Sequence, residues 1–402
     1  MARTLLLCSL LCGCTLFRSS DPMVAYPLND AEAALFADAA DRRLDSFDLL
    51  QAALVASGIR DVSTVRRLHG DLEKRLESIT VQVANIADDK ERGERLLVLL
   101  HERLLRQYDK DASTIIDVLE QGRFNCVSAT IFYNVLAGRV GLVAKAVIVP
   151  SHVLTLLFTM SGPVEVETTS PNGFFLNRRD QSYVDFLIAQ RLSTRNSHAE
   201  AETVEEMTRK PAEIDNLTMI GLIFSNQAMD AIAQDDPILA QAFLQRARKL
   251  SGPTHSTVLR TFEVSLQAHM AFQAQEEGDF ERAVEIIEGA LVDVDGDLRR
   301  ELLQNRSWLY AEWAESHTAA GEVNRAVEVY ARSLEGFPGD PKLRINLLVL
   351  LHNEAIRRIN LDDCANAMYY IERGEALRDN SFSELRGRCL EAIGYLGDAP
   401  PE

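Results

Sequence analysis

The stretch Gln121-Gly122-Arg123-Phe124-Asn125-Cys126-Val127-Ser128-Ala129-Thr130 places a cysteine between a glycine-containing turn and an apolar segment. We predict that a helix starts at Cys126 and runs to about residue 140. The free N–H groups at a helix start stabilise a thiolate, so a nucleophilic cysteine belongs there. A lone cysteine in this position is more often a small buried apolar residue. The sequence around it must decide between the two interpretations.

A histidine and a carboxylate follow on predicted strands. Residues 144–149 and 153–158 are apolar and rich in β-branched side chains, and His152 opens the second of these runs. Glu167 lies within the alternating segment 164–168. A helix followed by an antiparallel sheet predicts an α+β core. Cysteine, histidine and carboxylate are the parts of a thiol nucleophile with an oriented base.

The residues around these three side chains resemble the motifs of transglutaminase-like, papain-related cysteine domains. The matching stretches are Asn125-Cys126, Ser151-His152-Val153 and Val166-Glu167-Thr168-Thr169, and the resemblance covers about residues 111–177. It implies that Cys126 attacks a carbonyl, His152 carries the proton and Glu167 orients the imidazole. This chain has Glu where the family commonly has Asp. The Cys126 backbone N–H is a candidate oxyanion donor.

Alanine pairs, whose partners are twelve positions apart, recur through the second half of the chain. The pairs are Ala228 and Ala240, Ala271 and Ala283, Ala314 and Ala326, and Ala355 and Ala367, with offsets of 43, 43 and 41 residues. This pattern of alanines resembles tetratricopeptide repeats, as do Gly278-Asp279 and Gly321-Glu322 at the turns between them. The repeat period is longer than the usual ~34 residues. The resemblance implies an α-solenoid that binds a protein or peptide partner. Bacterial proteins that join this kind of cysteine domain to such repeats share the architecture.

The first residues read as a targeting segment. Leu5–Leu11 is apolar but too short to span a bilayer. Leu11-Cys12-Gly13-Cys14 resembles a bacterial lipobox, which implies cleavage after Gly13 and a lipid anchor on Cys14. The alternative is an ordinary secretory signal. Thr15 after the acceptor cysteine favours the outer membrane, so we expect a location in the cell envelope, facing the periplasm.

The composition excludes some functions. A formal charge of −18 and a pI near 5.0 argue against a nucleic-acid partner. No histidine pair has a zinc-like spacing with cysteine, and no phosphate-loop spacing occurs, so we predict neither metal nor cofactor. Cys364 and Cys389 fall on a predicted helical hairpin that turns near Asn380, with an expected offset of about 10 Å, so we predict two buried thiols.

The predicted helices of the first part span about residues 31–44, 63–86 with Ser63 as the N-cap, and 90–108. The predicted organisation is a signal peptide (1–13), a tether (14–30), a helical region (31–110), the transglutaminase-like core (111–193), a linker or flap (194–214), the repeats (215–378), and a capping helix with a tail (379–402). Two functions stay open. One is a thiol acyl-transfer enzyme, and the other is a non-catalytic scaffold that carries a relic of the site.

Overall fold

The structure is a computed structural model that describes residues 22–149, 152–176, 212–251, 256–292 and 294–392. It is mostly helical with a small antiparallel sheet, so the predicted α+β class with a helical remainder is confirmed. The helices are α1 Pro22–Ala25, α2 Asp30–Asp38, α3 Leu49–Ala56, α4 Val62–Val83, α5 Asp89–Arg103, α6 Ile115–Gln121, α7 Cys126–Arg139, α8 Asn216–Ala233, α9 Pro237–Ser251, α10 Ser256–Glu276, α11 Phe280–Ala290, α12 Gly296–Ala319, α13 Val323–Gly336, α14 Pro341–Ile359, α15 Cys364–Ala376 and α16 Ser381–Ala392.

The main sheet has four antiparallel strands, β3 Val143–Val149, β4 His152–Thr159, β5 Gly162–Val166 and β6 Ala212–Ile214. They lie side by side in the order β5-β4-β3-β6. The first three were predicted, whereas β6 falls in the predicted linker and pairs with β3. Val149 pairs with His152, so a two-residue connection joins β3 to β4. This pairing places the histidine at the very start of its strand.

Helix α7 is the centre of the first hydrophobic core. It packs on strands β3 and β4 and on helices α3, α4, α5 and α8. Ile131, Phe132 and Leu136 are completely buried. Tyr133 is also buried and donates a hydrogen bond to the Gly93 carbonyl at 3.2 Å, because a buried hydroxyl needs a partner. A helix held on so many sides gives its first turn a fixed position.

Two helix boundaries differ from the prediction. Asp61 caps α4 instead of Ser63, because its carboxylate accepts the Thr64 N–H at 2.8 Å while Ser63 donates its hydroxyl to the same carboxylate. Helix α5 ends at Arg103 rather than near residue 108. Residues Gln107–Tyr108 instead form β1, which pairs in parallel with β2, Arg123–Phe124. Tertiary pairing thus overrides the helical pattern there.

The repeat period is visible in the backbone. All eight alanines of the four pairs are completely buried, and each pair joins the two helices of one hairpin, from α8–α9 to α14–α15. Asp235, Gly278, Gly321 and Asp362 all have positive φ, at offsets of 43, 43 and 41 residues. At each of these turns the next N–H reaches back to the fifth preceding carbonyl, at 2.8 to 2.9 Å. The same left-handed turn therefore ends the first helix of every hairpin.

The chain divides into two compact units, Met1–Leu266 and Gln267–Glu402, with the boundary inside α10. The hairpin α8–α9 therefore belongs with the first unit, although the sequence places it in the repeat array. The second unit contains the hairpins α12–α13 and α14–α15 and the last helix, α16.

Several predictions lie outside the described residues. These are the signal peptide, Cys14 and the first part of the tether, Ser151, residues 177–193 of the predicted core, residues 194–211 of the linker, and the tail from residue 393. In the part of the chain that the structure describes, no helix combines the length and apolar character that a membrane span requires.

The hairpin that carries the last two cysteines corrects one expectation. The Cys389 sulfur lies 4.0 Å from the Cys364 carbonyl oxygen, so the expected offset of about 10 Å is wrong. Helix α15 ends at Ala376 and α16 begins at Ser381, so the connection is centred before Asn380 and the offset along the hairpin is only about 6 Å. Both thiols are free and buried, as predicted.

Candidate active site

Cys126 is the first residue of α7, and Asn125 holds it there. The Asn125 side chain accepts hydrogen bonds from the N–H groups of Val127 and Ser128, both at 3.0 Å, and Ser128 returns a bond to the Asn125 N–H. This capping box fixes the first turn. Cys126 itself is half-buried. Its N–H has no hydrogen-bond partner among the described residues, and it faces the position that a helix start offers to an anion.

His152 joins the cysteine to the carboxylate. The Cys126 side chain lies close enough to its ring to raise the pKa of His152. Its Nε2 lies 2.8 Å from Glu167 Oε2, and both side chains are almost fully buried. The structure thus brings together all three predicted residues. Because Nε2 faces the carboxylate, we infer that Nδ1 is the ring nitrogen available to the thiol.

Burial and pairing act in opposite directions on these two groups. Burial disfavours a charged imidazole, but the Glu167 carboxylate and the hydrogen bonds to Glu167 and Cys126 outweigh it and raise the pKa of His152 to about 10. Burial also works against the charge of Glu167, yet His152 and the bonds from Thr169 bring the pKa of that carboxyl below its usual value. At neutral pH the pair is therefore an imidazolium and a carboxylate.

Glu167 lies in a turn and not on a strand, which corrects the prediction. Strand β5 ends at Val166, and the backbone N–H of Glu167 donates to the Gly173 carbonyl at 3.2 Å. Its Oε1 accepts two bonds from Thr169, at 3.0 Å from the N–H and 2.6 Å from the hydroxyl. A β-carbon on Gly173 would meet the Glu167 carbonyl oxygen at 1.9 Å, so glycine is required for this turn to close.

His101 is a site residue that the sequence analysis missed. Its Nε2 donates to the Thr168 carbonyl at 3.0 Å, and its ring packs edge-on against Phe124, with centroids 5.4 Å apart. Burial lowers the pKa of His101. The backbone hydrogen bonds at Thr168 and Leu105 and the negative charge of Glu167 offset part of this effect. A neutral imidazole therefore links the Glu167 turn to the strand before Cys126. No sequence pattern signals this, because His101 belongs to the otherwise ordinary helix α5.

Thr130 provides a second link between the helix and the turn. Its hydroxyl lies 2.9 Å from that of Thr168, and both residues are completely buried. Thr130 is on the second turn of α7, so the helix that carries Cys126 and the turn that carries Glu167 are hydrogen-bonded directly. The Thr169 contact is the one supporting interaction that the sequence could suggest, since it belongs to the motif that contains Glu167.

A possible metal-ligand group lies at the other end of α7. Among the described residues, Asp48, His69 and Glu73 each offer one ligand atom, and these three atoms lie within 4.8 Å of one another. His69 Nε2 is 2.7 Å from an Asp48 carboxylate oxygen and 2.9 Å from a Glu73 carboxylate oxygen. Arg139 pairs with the same Glu73 oxygen, so a positive charge already balances these carboxylates. We interpret the group as an ion-pair network. The prediction that the protein binds no metal stays a prediction.

Comparison with known proteins adds no family to this geometry. No protein-family model matches the chain, and no curated protein is significantly similar to it. The resemblance to transglutaminase-like domains and to tetratricopeptide repeats is therefore carried by the residues alone.

Proposed function

We propose that this protein is a thiol-dependent acyl-transfer enzyme that cleaves or exchanges an amide in a protein or peptide. The observation that carries the proposal is the grouping of three side chains at the start of a buried helix: Glu167 is hydrogen-bonded to His152, and Cys126 lies close enough to raise the pKa of that histidine. Buried charged pairs of this kind cluster at functional sites because chemistry requires them. A structural role alone would be served better by apolar side chains.

The geometry supports a two-step reaction. The Cys126 thiolate attacks the carbonyl carbon, and the Cys126 N–H donates to the oxygen that becomes negative. His152 then gives its proton to the leaving amine, so the C–N bond breaks and a thioester forms. In the second step His152 takes a proton from water or from a second amine, which attacks the thioester and releases Cys126. Glu167 holds the ring and stabilises its charged form throughout.

We further propose a transglutaminase-like core, tetratricopeptide-like repeats and a lipid anchor on Cys14 in the bacterial cell envelope. The order of Cys126, His152 and Glu167 on a helix, a strand and the following turn supports the first, and the four hairpins with equal turns support the second. The lipobox-like sequence supports the third. In this view the repeats bind the protein or peptide whose amide reacts. Globomycin should block processing at Cys14, and a mature protein without lipid would contradict the anchor.

The decisive experiment compares thiol reactivity within one molecule. At neutral pH an iodoacetamide probe should label Cys126 faster than Cys364 or Cys389, since the latter two are buried and burial, with the Cys364 thiol, raises the pKa of Cys389 to about 12. His152→Ala should slow labelling of Cys126 and leave the other two unchanged. Equal labelling of all three, or no effect of His152→Ala, would contradict an activated nucleophile.

A second function is favoured by a feature of the second unit. A cavity of about 500 Å³ is lined by residues of α13, α14 and α15, among them Leu334, Leu347 and Leu351. Such a cavity suits a non-catalytic scaffold that binds a partner and keeps the cysteine domain as a relic. In a strain that depends on the protein, Cys126→Ala is compared with deletion of residues 267–402. Full function of the alanine variant with loss in the deletion would establish the scaffold.

A further inference from the structure

The last two described helices place two cysteines against each other. Cys364 opens α15, and Cys389 lies in the second half of α16, which packs antiparallel against it. The Cys389 thiol donates to the Cys364 carbonyl oxygen, with the sulfur 4.0 Å from that oxygen. Their side chains are 4% and 0% exposed. Nothing in the proposed acyl-transfer reaction uses them.

We propose that Cys364 and Cys389 form a disulfide when the protein folds in an oxidising compartment. The Cys389 sulfur already touches the backbone of Cys364, so rotation of the two side chains can bring the sulfurs together, whereas residues on opposite faces of a hairpin would need backbone movement. The sequence supports the pairing, because Cys126 is the only other cysteine after residue 14. Secreted chains commonly use such pairs. The proposal rests on export from the cytoplasm and not on any activity of Cys126.

The oxidation is a pair of thiol–disulfide exchanges with a small disulfide such as oxidised glutathione, or with a protein disulfide. The thiolate form of Cys364 attacks the oxidant, forms a mixed disulfide and releases one thiol. Cys389 then attacks the Cys364 sulfur and releases the second thiol. Two protein thiols are oxidised and one external disulfide is reduced to two thiols, so electrons and protons balance.

Burial determines when the exchange occurs. Neither sulfur is accessible in the folded hairpin, so the oxidant reaches them while α16 is not yet docked. The bond then joins the final helix to the one before it, across a separation of 25 residues. Terminal helices of stacked arrays have a neighbour on one side only and open first. The disulfide would therefore hold the helix that is least supported by packing.

The test uses the full mature chain in a Cys126→Ala background, so that Cys364 and Cys389 are the only thiols besides position 14. The chain is unfolded under reducing conditions and refolded in a mixture of reduced and oxidised glutathione. It is then trapped with acid and alkylated in denaturant. We expect no alkylation of the two cysteines before reduction, a cross-linked peptide that contains both, and alkylation of both after reduction.

Two further arms make the result interpretable. Cys364→Ser and Cys389→Ser should each leave one alkylatable thiol, and the oxidised protein should unfold at a temperature about 5 °C higher than the reduced one. Free thiols at both positions after refolding would overturn the proposal whatever the compartment. The same assay on protein from the native envelope tests export separately, because free thiols only in that sample would show a reducing location.

Discussion

Shortening Glu167 by one carbon is the sharpest test of the site, because the transglutaminase-like domains that its residues resemble commonly have Asp at this position. The Glu167 Oε2 to His152 Nε2 distance is 2.8 Å. The backbone of Glu167 is held by its hydrogen bond to the Gly173 carbonyl and packs closely against Gly173. Removing one methylene withdraws the carboxylate by about 1.5 Å, to a separation of about 4 Å, which is too long for a hydrogen bond.

The loss should appear in the reactivity of Cys126. A hydrogen bond to a charged group contributes about 1.5–3 kcal/mol, which corresponds to about 10- to 100-fold in the equilibrium that keeps His152 protonated. We therefore expect Glu167→Asp to slow alkylation of Cys126 at neutral pH by at least about tenfold. Stopped-flow labelling of the folded protein measures this rate, and circular dichroism verifies the fold.

A matched control is Glu77→Asp, which shortens an exposed glutamate of α4 and should leave the rate unchanged. Glu167→Gln keeps the reach but removes the charge, so it should also slow the reaction. An aspartate variant that labels as fast as the wild type would refute the reasoning, because it would show that the turn moves to compensate or that the contact is irrelevant.

Three further predictions address the groups around the triad. Gly173→Ala must displace the Glu167 carbonyl by about 1 Å, so it should destabilise the protein by about 1–3 kcal/mol and slow labelling of Cys126. The control is Gly138→Ala, whose new methyl group meets no atom within 4 Å and should have neither effect. Equal melting curves and labelling rates for the two variants would contradict the close approach of Gly173 to Glu167. His101→Ala should slow labelling severalfold, and His101→Gln should restore most of the rate because its amide can donate to the same carbonyl; equal rates for both would leave His101 without a positioning role. The raised pKa of His152 should stabilise the fold fully below pH about 6.5 and progressively less up to pH about 10. The free energy of unfolding of the wild type should therefore fall more steeply over this range than that of Glu167→Gln. Parallel pH profiles for the two proteins would argue against the ion pair.

Periodic features could be predicted from the sequence. The alanine spacing predicted four helical hairpins, and in the structure each of the four turns has a residue with left-handed backbone conformation at the equivalent position. Two of these turns use Asp235 and Asp362 instead of glycine, so a search for glycine alone would have missed them. The strands around His152 were predicted for the same reason, since their apolar pattern is regular along the chain.

The contacts that position the site were not predictable in the same way. His101 and Gly173 act through the Thr168 and Glu167 backbones, and no local pattern distinguishes them from ordinary helix and turn residues. The end of α5 was also misjudged, because pairing of Gln107–Tyr108 with the strand before Asn125 prevails over helix propensity. In each case a contact distant in sequence determines the outcome.

The longer carboxylate at position 167 is compatible with an active site, for a physical reason. A glutamate has more rotamer freedom to lose than an aspartate, at a cost of up to about 1.5–2 kcal/mol. Here Thr169 holds one oxygen with two hydrogen bonds and His152 holds the other, so the side chain has a single arrangement. A buried ion pair is commonly no more stabilising than apolar residues of the same size. A site without function would be under no constraint to keep the His152–Glu167 pair, the threonine that orients it and the glycine that closes its turn. Their joint presence favours the enzyme over the relic.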